Sequence, residues 1–279
     1  MPSVWPLIAL VLLVGMSVGS FLNVVVFRLP MRESIIRPPS RCLSCGTRLT
    51  LPDLVPVFSY LLLRGRCRHC GRRFSPRYMI VELIAGLLAV ICLLVVGPNV
   101  YAISVFLMIC ALLVVFLVDL DWMIIPDEIV LFLAAFGIGL NAIGLARGQV
   151  GELVVFNEYV ESQIWTLSLP SSLVGICVGA GLFLLMGWVA ERAFRRPSLG
   201  FGDVKLAAAM GALLGPGYQF IAFFLYSIFI GAAVGLLLLL LRRHRGGAQM
   251  PFGPMLAVSA AAMLLFPQEL TGLIMRFYM

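Results

Sequence analysis

The sequence predicts an all-α polytopic membrane protein of about eight transmembrane helices, with a small cytosolic zinc-ribbon-like insertion after the first helix. Of its 279 residues, 62% are hydrophobic and only 12% are charged, about half the charged fraction of soluble domains. Apolar runs long enough to cross a hydrocarbon core of ~30 Å recur along the chain. Two Cys-x-x-Cys pairs lie in a single polar segment between such runs. This composition excludes a large soluble domain.

The chain divides in sequence into a first transmembrane helix over 1–28, a polar segment over 29–78 and a seven-helix membrane domain over 79–279. No Lys or Arg precedes Arg28, so the first apolar run lacks the basic start of a signal peptide, and we expect it to be retained. The seven later spans are predicted over residues 79–97, 101–118, 128–146, 170–190, 204–215, 217–241 and 250–267.

Arginines predict the orientation of the chain in its membrane. Eleven of the nineteen arginines lie between Arg28 and Arg77, and basic segments of membrane proteins stay in the cytosol. This rule places 29–78, 191–203 and 242–249 inside, and both termini and the loop 147–169 outside. The twelve-residue run 204–215 has an alternative as a re-entrant hairpin, which would move the arginines of 242–249 to the outside.

The same arginine-rich segment predicts a partner. A nucleic-acid interface would combine basic residues with several stacking aromatics on a folded face, and this segment offers only Phe58, Tyr60 and Phe74. We therefore expect no nucleic acid. Anionic lipid headgroups of the membrane are the expected partner of these arginines.

Four of the seven cysteines form two pairs in the polar segment, separated by twenty-one residues. Two such knuckles can present four thiolates tetrahedrally to Zn²⁺, and a closed four-sulfur site is structural because it leaves no open coordination position. Disulfides are disfavoured in the reducing cytosol, and a redox site needs only one pair. His69 is a possible alternate ligand that four sulfurs make unnecessary. The predicted zinc ligands are Cys42, Cys45, Cys67 and Cys70.

Two aspartates stand out at the ends of predicted spans. Asp119 follows the third span and Asp203 precedes the sixth, so the topology places both at similar depth near the cytosolic face. Carboxylates at membrane depth are costly and indicate function. Two carboxylates brought together share a proton and can act as the acid and base of an aspartic protease. Gly200 and Gly202 would let the backbone of a peptide substrate approach Asp203.

Carboxylates near span ends also have a structural interpretation as helix caps or interface residues. Asp121 lies two residues past Asp119 and so points to another helix face. Asp127 follows Pro126 and fits a helix cap. Glu82, near the start of the second span, needs no special role.

Taken together, four motifs in order along the chain resemble the bacterial type IV prepilin peptidases. They are Gly19-Ser-Phe-Leu-Asn-Val-Val-Val-Phe-Arg-Leu-Pro30, the two Cys-x-x-Cys knuckles, Asp119-x6-Pro126-Asp127, and Gly200-Phe-Gly-Asp203-Val-Lys205. The resemblance covers nearly the whole chain. It implies that Asp119 and Asp203 are catalytic and that the motif residues supporting them are Gly200, Gly202, Lys205, Pro126 and Asp127.

The resemblance also implies the substrate and a second activity. Such enzymes are inner-membrane aspartic endopeptidases that cut the short basic leader from type IV prepilins, or from pseudopilins of type II secretion, at the cytosolic membrane face. Many also N-methylate the new N-terminus with S-adenosylmethionine, an activity linked to the cysteine-bearing N-terminal region. The alternative from another class is a cation- or proton-coupled transporter using the paired aspartates. A transporter would place these carboxylates near the bilayer centre on broken helices.

Overall fold

The computed structural model of the protein describes residues 4–146, 171–195, 199–241 and 250–278. Over these residues the chain is helical, with a single 3₁₀ turn at Leu51–Asp53 and no strand. The predicted all-α class is confirmed. The predicted outer loop 147–169 and the arginine cluster in 242–249 lie outside the described residues. The helices are α1 (Trp5–Arg28), α2 (Phe58–Leu62), α3 (Arg77–Val96), α4 (Val100–Trp122), α5 (Asp127–Ala146), α6 (Ser171–Phe194), α7 (Phe201–Leu214), α8 (Tyr218–Leu240), α9 (Gly253–Leu265) and α10 (Pro267–Tyr278).

Every one of the eight predicted spans contains a helix, but the helices differ in their ability to cross a membrane. Within the described ranges, five of them, α1, α3, α4, α6 and α8, are long and apolar enough to cross. The bent pair α9 and α10 would count as a sixth if it forms one span. Helix α7 has 14 residues, which at 1.5 Å per residue extend about 21 Å. The protein is therefore a multi-pass membrane protein whose seventh helix is short.

The last predicted span, 250–267, is shorter than expected and ends in a sharp bend. Helix α9 stops at Leu265, and α10 leaves at an angle of 103° after a one-residue break. Pro267 explains the break, because it has no N–H to continue the helix and fits best at a first helical position.

The chain forms two compact units, Met1–Cys110 and Ala111–Met279. In the first unit, α1 packs along α3 through small residues. A Cβ on Gly19 would lie 2.8 Å from the Cβ of Ala85, and one on Gly15 would lie 2.6 Å from the Cβ of Ala89. Small residues let membrane helices approach closely and gain van der Waals contact, so they define where these two helices meet.

In the second unit, α7 is the central helix. Ten of its fourteen residues are buried, so its sides face other helices rather than lipid. Gly211 of α7 contacts the backbone of Gly175 in α6, and a Cβ on Gly137 of α5 would lie 2.7 Å from the carbonyl of Ala212. These close backbone contacts hold α7, and with it Asp203, at a defined depth.

Candidate functional site

The two cysteine knuckles of the first unit have the same backbone structure. Gly46 N–H donates to the Cys42 carbonyl at 2.8 Å, and Gly71 N–H donates to the Cys67 carbonyl at 3.0 Å. Both glycines have a φ of 70°, a left-handed conformation that glycine adopts without strain. One antiparallel bridge closes each knuckle. Each knuckle therefore ends in a glycine turn.

The four predicted ligands come together. The Sγ atoms of Cys42, Cys45, Cys67 and Cys70 all lie within 4.8 Å of one another, and the Cys42 and Cys70 sulfurs are 3.9 Å apart. A tetrahedral zinc with Zn–S bonds of about 2.3 Å has sulfur–sulfur edges of about 3.8 Å. The four-cysteine group could therefore bind zinc, whereas His69 is exposed and outside the cluster.

The backbone around the first knuckle favours a thiolate. Hydrogen bonds from the N–H groups of Cys45 and Ser44 lower the pKa of Cys42 to about 6. Since the thiolate is the form that coordinates a metal, this knuckle holds a ligand that is ionised at neutral pH.

A carboxylate ties the stretch between the knuckles, residues 51–63, to the second knuckle. We call this stretch the knuckle linker. Asp53 accepts a 2.6 Å hydrogen bond from the Thr50 hydroxyl and forms a 2.8 Å ion pair with Nε of Arg68. Arg68 lies between the two cysteines of the second knuckle. These contacts, led by the one from Thr50, lower the pKa of Asp53. The linker is thus tied to the second knuckle by a charged anchor.

In the second unit, the structure brings the two predicted aspartates together. Asp119 and Asp203 are only 5% and 9% exposed, and their carboxylates interact electrostatically. Both lie inside helices rather than just outside them as predicted, because α4 continues to Trp122 and α7 already begins at Phe201. Asp119 is therefore in the last turn of α4 and Asp203 in the first turn of α7.

Each aspartate receives a hydrogen bond from the backbone at a helix N-terminus. Gly253 N–H, at the start of α9, donates to the Asp119 carboxylate, and Gly200 N–H, at the N-cap of α7, donates to the Asp203 carboxylate. Helix N-termini carry partial positive charge that stabilises a nearby anion. The arrangement can therefore hold a negative charge on the pair even though both side chains are buried.

Gly253 was missed by the sequence analysis, which assigned 250–267 to a span without assigning a role to its first residues. A Cβ on Gly253 would lie 2.6 Å from Oδ2 and 2.9 Å from Cγ of Asp119. Only glycine leaves room for that carboxylate. The available signal was a glycine followed by Pro254 at a helix start, a position where proline is common.

The predicted glycines beside Asp203 also contact the chain itself. A Cβ on Gly200 would lie 3.1 Å from Oδ2 of Asp203, and one on Gly202 would lie 3.1 Å from the Cβ of Ile125. Tight packing within the chain is therefore a first reason for the lack of side chains at both positions. Space for a substrate backbone stays a prediction.

The motif residues Asp127 and Lys205 form an ion pair. Lys205 Nζ donates to Oδ1 of Asp127 at 2.6 Å and lies 5.0 Å from the ring centre of Phe201. Asp127 was predicted as a helix cap, and it is the first residue of α5. Its carboxylate also has a partner on another helix. Pro126 is buried, whereas Asp121 is exposed and differs in this respect from Asp119, as predicted for another helix face.

Comparisons with known proteins cover both units. Residues 13–96 match the bacterial peptidase A24 N-terminal domain, and residues 106–236 match the type IV leader peptidase family. The chain is 32% identical to a prepilin leader peptidase/N-methyltransferase of Aeromonas hydrophila, over 96% of this chain and 93% of that protein. Proteins of the same name from Pseudomonas putida and Burkholderia pseudomallei strain 1026b are 32% and 33% identical, over 94% and 93% of this chain and 92% and 85% of theirs. No solved structure matches the chain.

Proposed function

The chain belongs to the type IV leader peptidase family, and on that premise we propose that Asp119 and Asp203 are the catalytic pair of a membrane aspartic endopeptidase. The protein is a multi-pass inner-membrane peptidase that processes prepilins. The observation that carries the residue assignment is the burial of these two carboxylates, one from α4 and one from α7, within electrostatic reach of each other. Neither the family match nor the curated relatives favour a transporter.

The pair supports hydrolysis through a single activated water. One ionised carboxylate accepts a proton from the water as its oxygen attacks the scissile carbonyl carbon. The other, protonated, carboxyl donates its proton to the carbonyl oxygen, and the resulting diol collapses as the peptide nitrogen takes a proton and leaves. No covalent intermediate forms. Gly253 N–H and Gly200 N–H stabilise the carboxylates while the proton moves between them.

We place the cleavage at the cytosolic membrane face, between the basic leader and the apolar stem of a prepilin or pseudopilin. The proposed topology has both termini outside and segments 29–78, 191–203 and 242–249 inside, following their arginines. Reporter fusions or cysteine labelling test it. Access to position 244 from the outside would mean that α7 is re-entrant rather than a short span.

Two cofactors complete the proposal. Zn²⁺ bound by Cys42, Cys45, Cys67 and Cys70 would hold the fold of segment 29–78, because four thiolates leave no coordination position for chemistry. S-adenosylmethionine would supply the methyl group for N-methylation of the new N-terminus, the second activity in the names of the relatives. No residue of this chain is assigned to that cofactor.

The test is to incubate the purified protein with a prepilin and to measure the mass of the products. Cleavage after the basic leader supports the peptidase assignment, and a further mass increase of one methyl group, dependent on added S-adenosylmethionine, supports the second activity. Protein that binds zinc and melts cooperatively but leaves every prepilin and pseudopilin substrate intact would refute the proposal.

A further inference from the structure

The knuckle linker, residues 51–63, presents an apolar surface. Leu51 and Leu62 are each 83% exposed, and their large apolar neighbours Leu54, Val55, Phe58 and Leu61 are exposed as well. Contiguous apolar surface of this kind is rare where a protein faces water and marks a site of contact with a partner or a membrane. The linker therefore needs a covering that the described residues of this chain do not provide.

A hydrogen bond to Glu82 sets the depth of the linker along a membrane-spanning helix. Val57 N–H donates to Oε2 of Glu82 at 2.7 Å. Glu82 is the sixth residue of α3, which begins at Arg77, so it lies about 7.5 Å along the helix axis from that start. Helix α3 is long and apolar enough to cross a membrane. The linker is therefore held beside the first turns of a spanning helix and not beyond its end.

Val57, which makes this contact, has an unusual backbone conformation. Its φ is 62°, in the left-handed region that β-branched residues rarely adopt. A second contact in the same unit ties the two spanning helices together at this level, because Asn23 of α1 donates to the Tyr78 carbonyl of α3 at 3.1 Å. Glu82, for which the sequence analysis found no role, thus anchors the apolar linker.

Charge identifies the occupant of this surface. Segment 29–78 contains ten arginines and only two acids, Glu33 and Asp53. Arginines on both sides of an apolar surface are typical of elements that lie in the membrane interface, where the apolar side chains reach the acyl boundary and the arginines contact anionic headgroups. A basic leader peptide would be repelled by the same charge. Lipid therefore fits this surface better than the leader does.

We propose that the knuckle linker is a membrane-interface anchor, in which Phe58, Leu61 and Leu62 enter the lipid beside the start of α3 and Glu82 sets their depth. The anchor holds the two cysteine knuckles at the membrane surface. It depends on the membrane location of α1 and α3 and not on catalysis, so its test is separate from the peptidase assay.

The experiment uses the full-length protein in vesicles of phosphatidylethanolamine and phosphatidylglycerol. The photo-crosslinking amino acid benzoylphenylalanine replaces Leu62 of the linker or, as a matched control, His69 of the second knuckle, which is also exposed. After irradiation, mass spectrometry identifies the adducts. We expect a lipid adduct at position 62 that exceeds the one at position 69 several-fold.

The other results would overturn the proposal. A crosslinked dimer at position 62 would assign the surface to a second copy of this chain, and an adduct with an added prepilin would assign it to substrate. Equal lipid adducts at positions 62 and 69 would contradict the assignment of the linker as an anchor.

In the second arm, Glu82→Ala should reduce the lipid adduct at position 62 several-fold, and Glu82→Gln, which keeps an oxygen acceptor for Val57, should retain it. Unchanged zinc content in both variants shows that the knuckles still fold, and an undiminished adduct in Glu82→Ala would refute the role of Glu82.

Discussion

Gly253→Ala is the substitution that tests the geometry of the proposed active site most directly. The new methyl group would lie 2.6 Å from Oδ2 of Asp119, whereas ordinary contact begins at 3.4 Å. The Asp119 carboxylate must therefore move by about 0.8 Å, or α9 must move away from it. Gly253 does not have a positive φ, so alanine is compatible with the backbone itself. The substitution therefore acts on the position of the carboxylate.

The size of the effect follows from this displacement. A misplacement of about 1 Å at a catalytic group can cost about 100-fold in rate, which corresponds to about 2.7 kcal/mol of transition-state stabilisation. We expect kcat and kcat/KM to fall together by about that factor, because a displaced acid–base group loses interactions made only in the transition state. KM should change little.

The assay measures prepilin cleavage as a function of substrate concentration in detergent or vesicles. Gly235→Ala in α8 is the matched control, because a Cβ at that position meets nothing within 4 Å. Alanine also stabilises a helix relative to glycine, by about 1 kcal/mol. The control should therefore keep the wild-type rate and be at least as stable as the wild type. A Gly253→Ala protein with the same melting temperature and wild-type kcat would refute the proposed contact between Gly253 and Asp119.

Three further outcomes are expected from the same structure. Asp119→Asn or Asp203→Asn should lower cleavage by more than about 100-fold, because an amide cannot exchange the proton, whereas Asp121→Asn should retain measurable cleavage. A well-folded Asn variant of Asp119 or Asp203 that still cuts at near wild-type rate would contradict the proposed mechanism. Purified protein should contain about one zinc per chain by elemental analysis, and the Cys42→Ser variant should lose the zinc and have a less stable segment 29–78. Reduced wild-type protein without zinc would contradict the proposed zinc site. Asp53→Asn should increase hydrogen exchange in segment 29–78 at neutral pH. The difference from wild type should vanish as the pH falls through the lowered pKa of Asp53, because the wild-type carboxylate then loses its charge and its charged contacts. A difference in exchange that does not depend on pH would point to packing instead.

The zinc ligands could be predicted because their geometry is local. Each Cys-x-x-Cys pair lies within one turn, and the glycine after it permits the left-handed backbone that closes the knuckle. The covalent chain therefore brings each pair together almost independently of the remaining fold. Pairing the two knuckles needed only the assumption of a shared metal, and the four sulfurs do converge.

Asp119 and Asp203 were predicted from the topology and from the energetic cost of a carboxylate at membrane depth. The groups that surround them were not predicted. A carboxylate at membrane depth is expensive wherever it occurs, so Asp119 and Asp203 stood out without a structure. The backbone N–H groups that stabilise the two carboxylates were not predicted, for two reasons. One belongs to a residue distant in sequence, and the other lies at a helix start that the apolar pattern placed a few residues too late. Gly253 is the clearest case, since nothing near it in sequence indicates a carboxylate.

Composition and local spacing alone thus determined that this chain is a multi-pass membrane protein with a four-cysteine cluster and two unusual aspartates. Hydropathy and knuckle spacing act over one helix or one turn, so they are readable from the sequence. The tertiary structure alone decided which distant groups meet: Gly253 with Asp119, Lys205 with Asp127, and Glu82 with Val57. These contacts depend on how closely helices approach, and that approach is set by small residues packing backbone against backbone, a long-range property that no local pattern encodes.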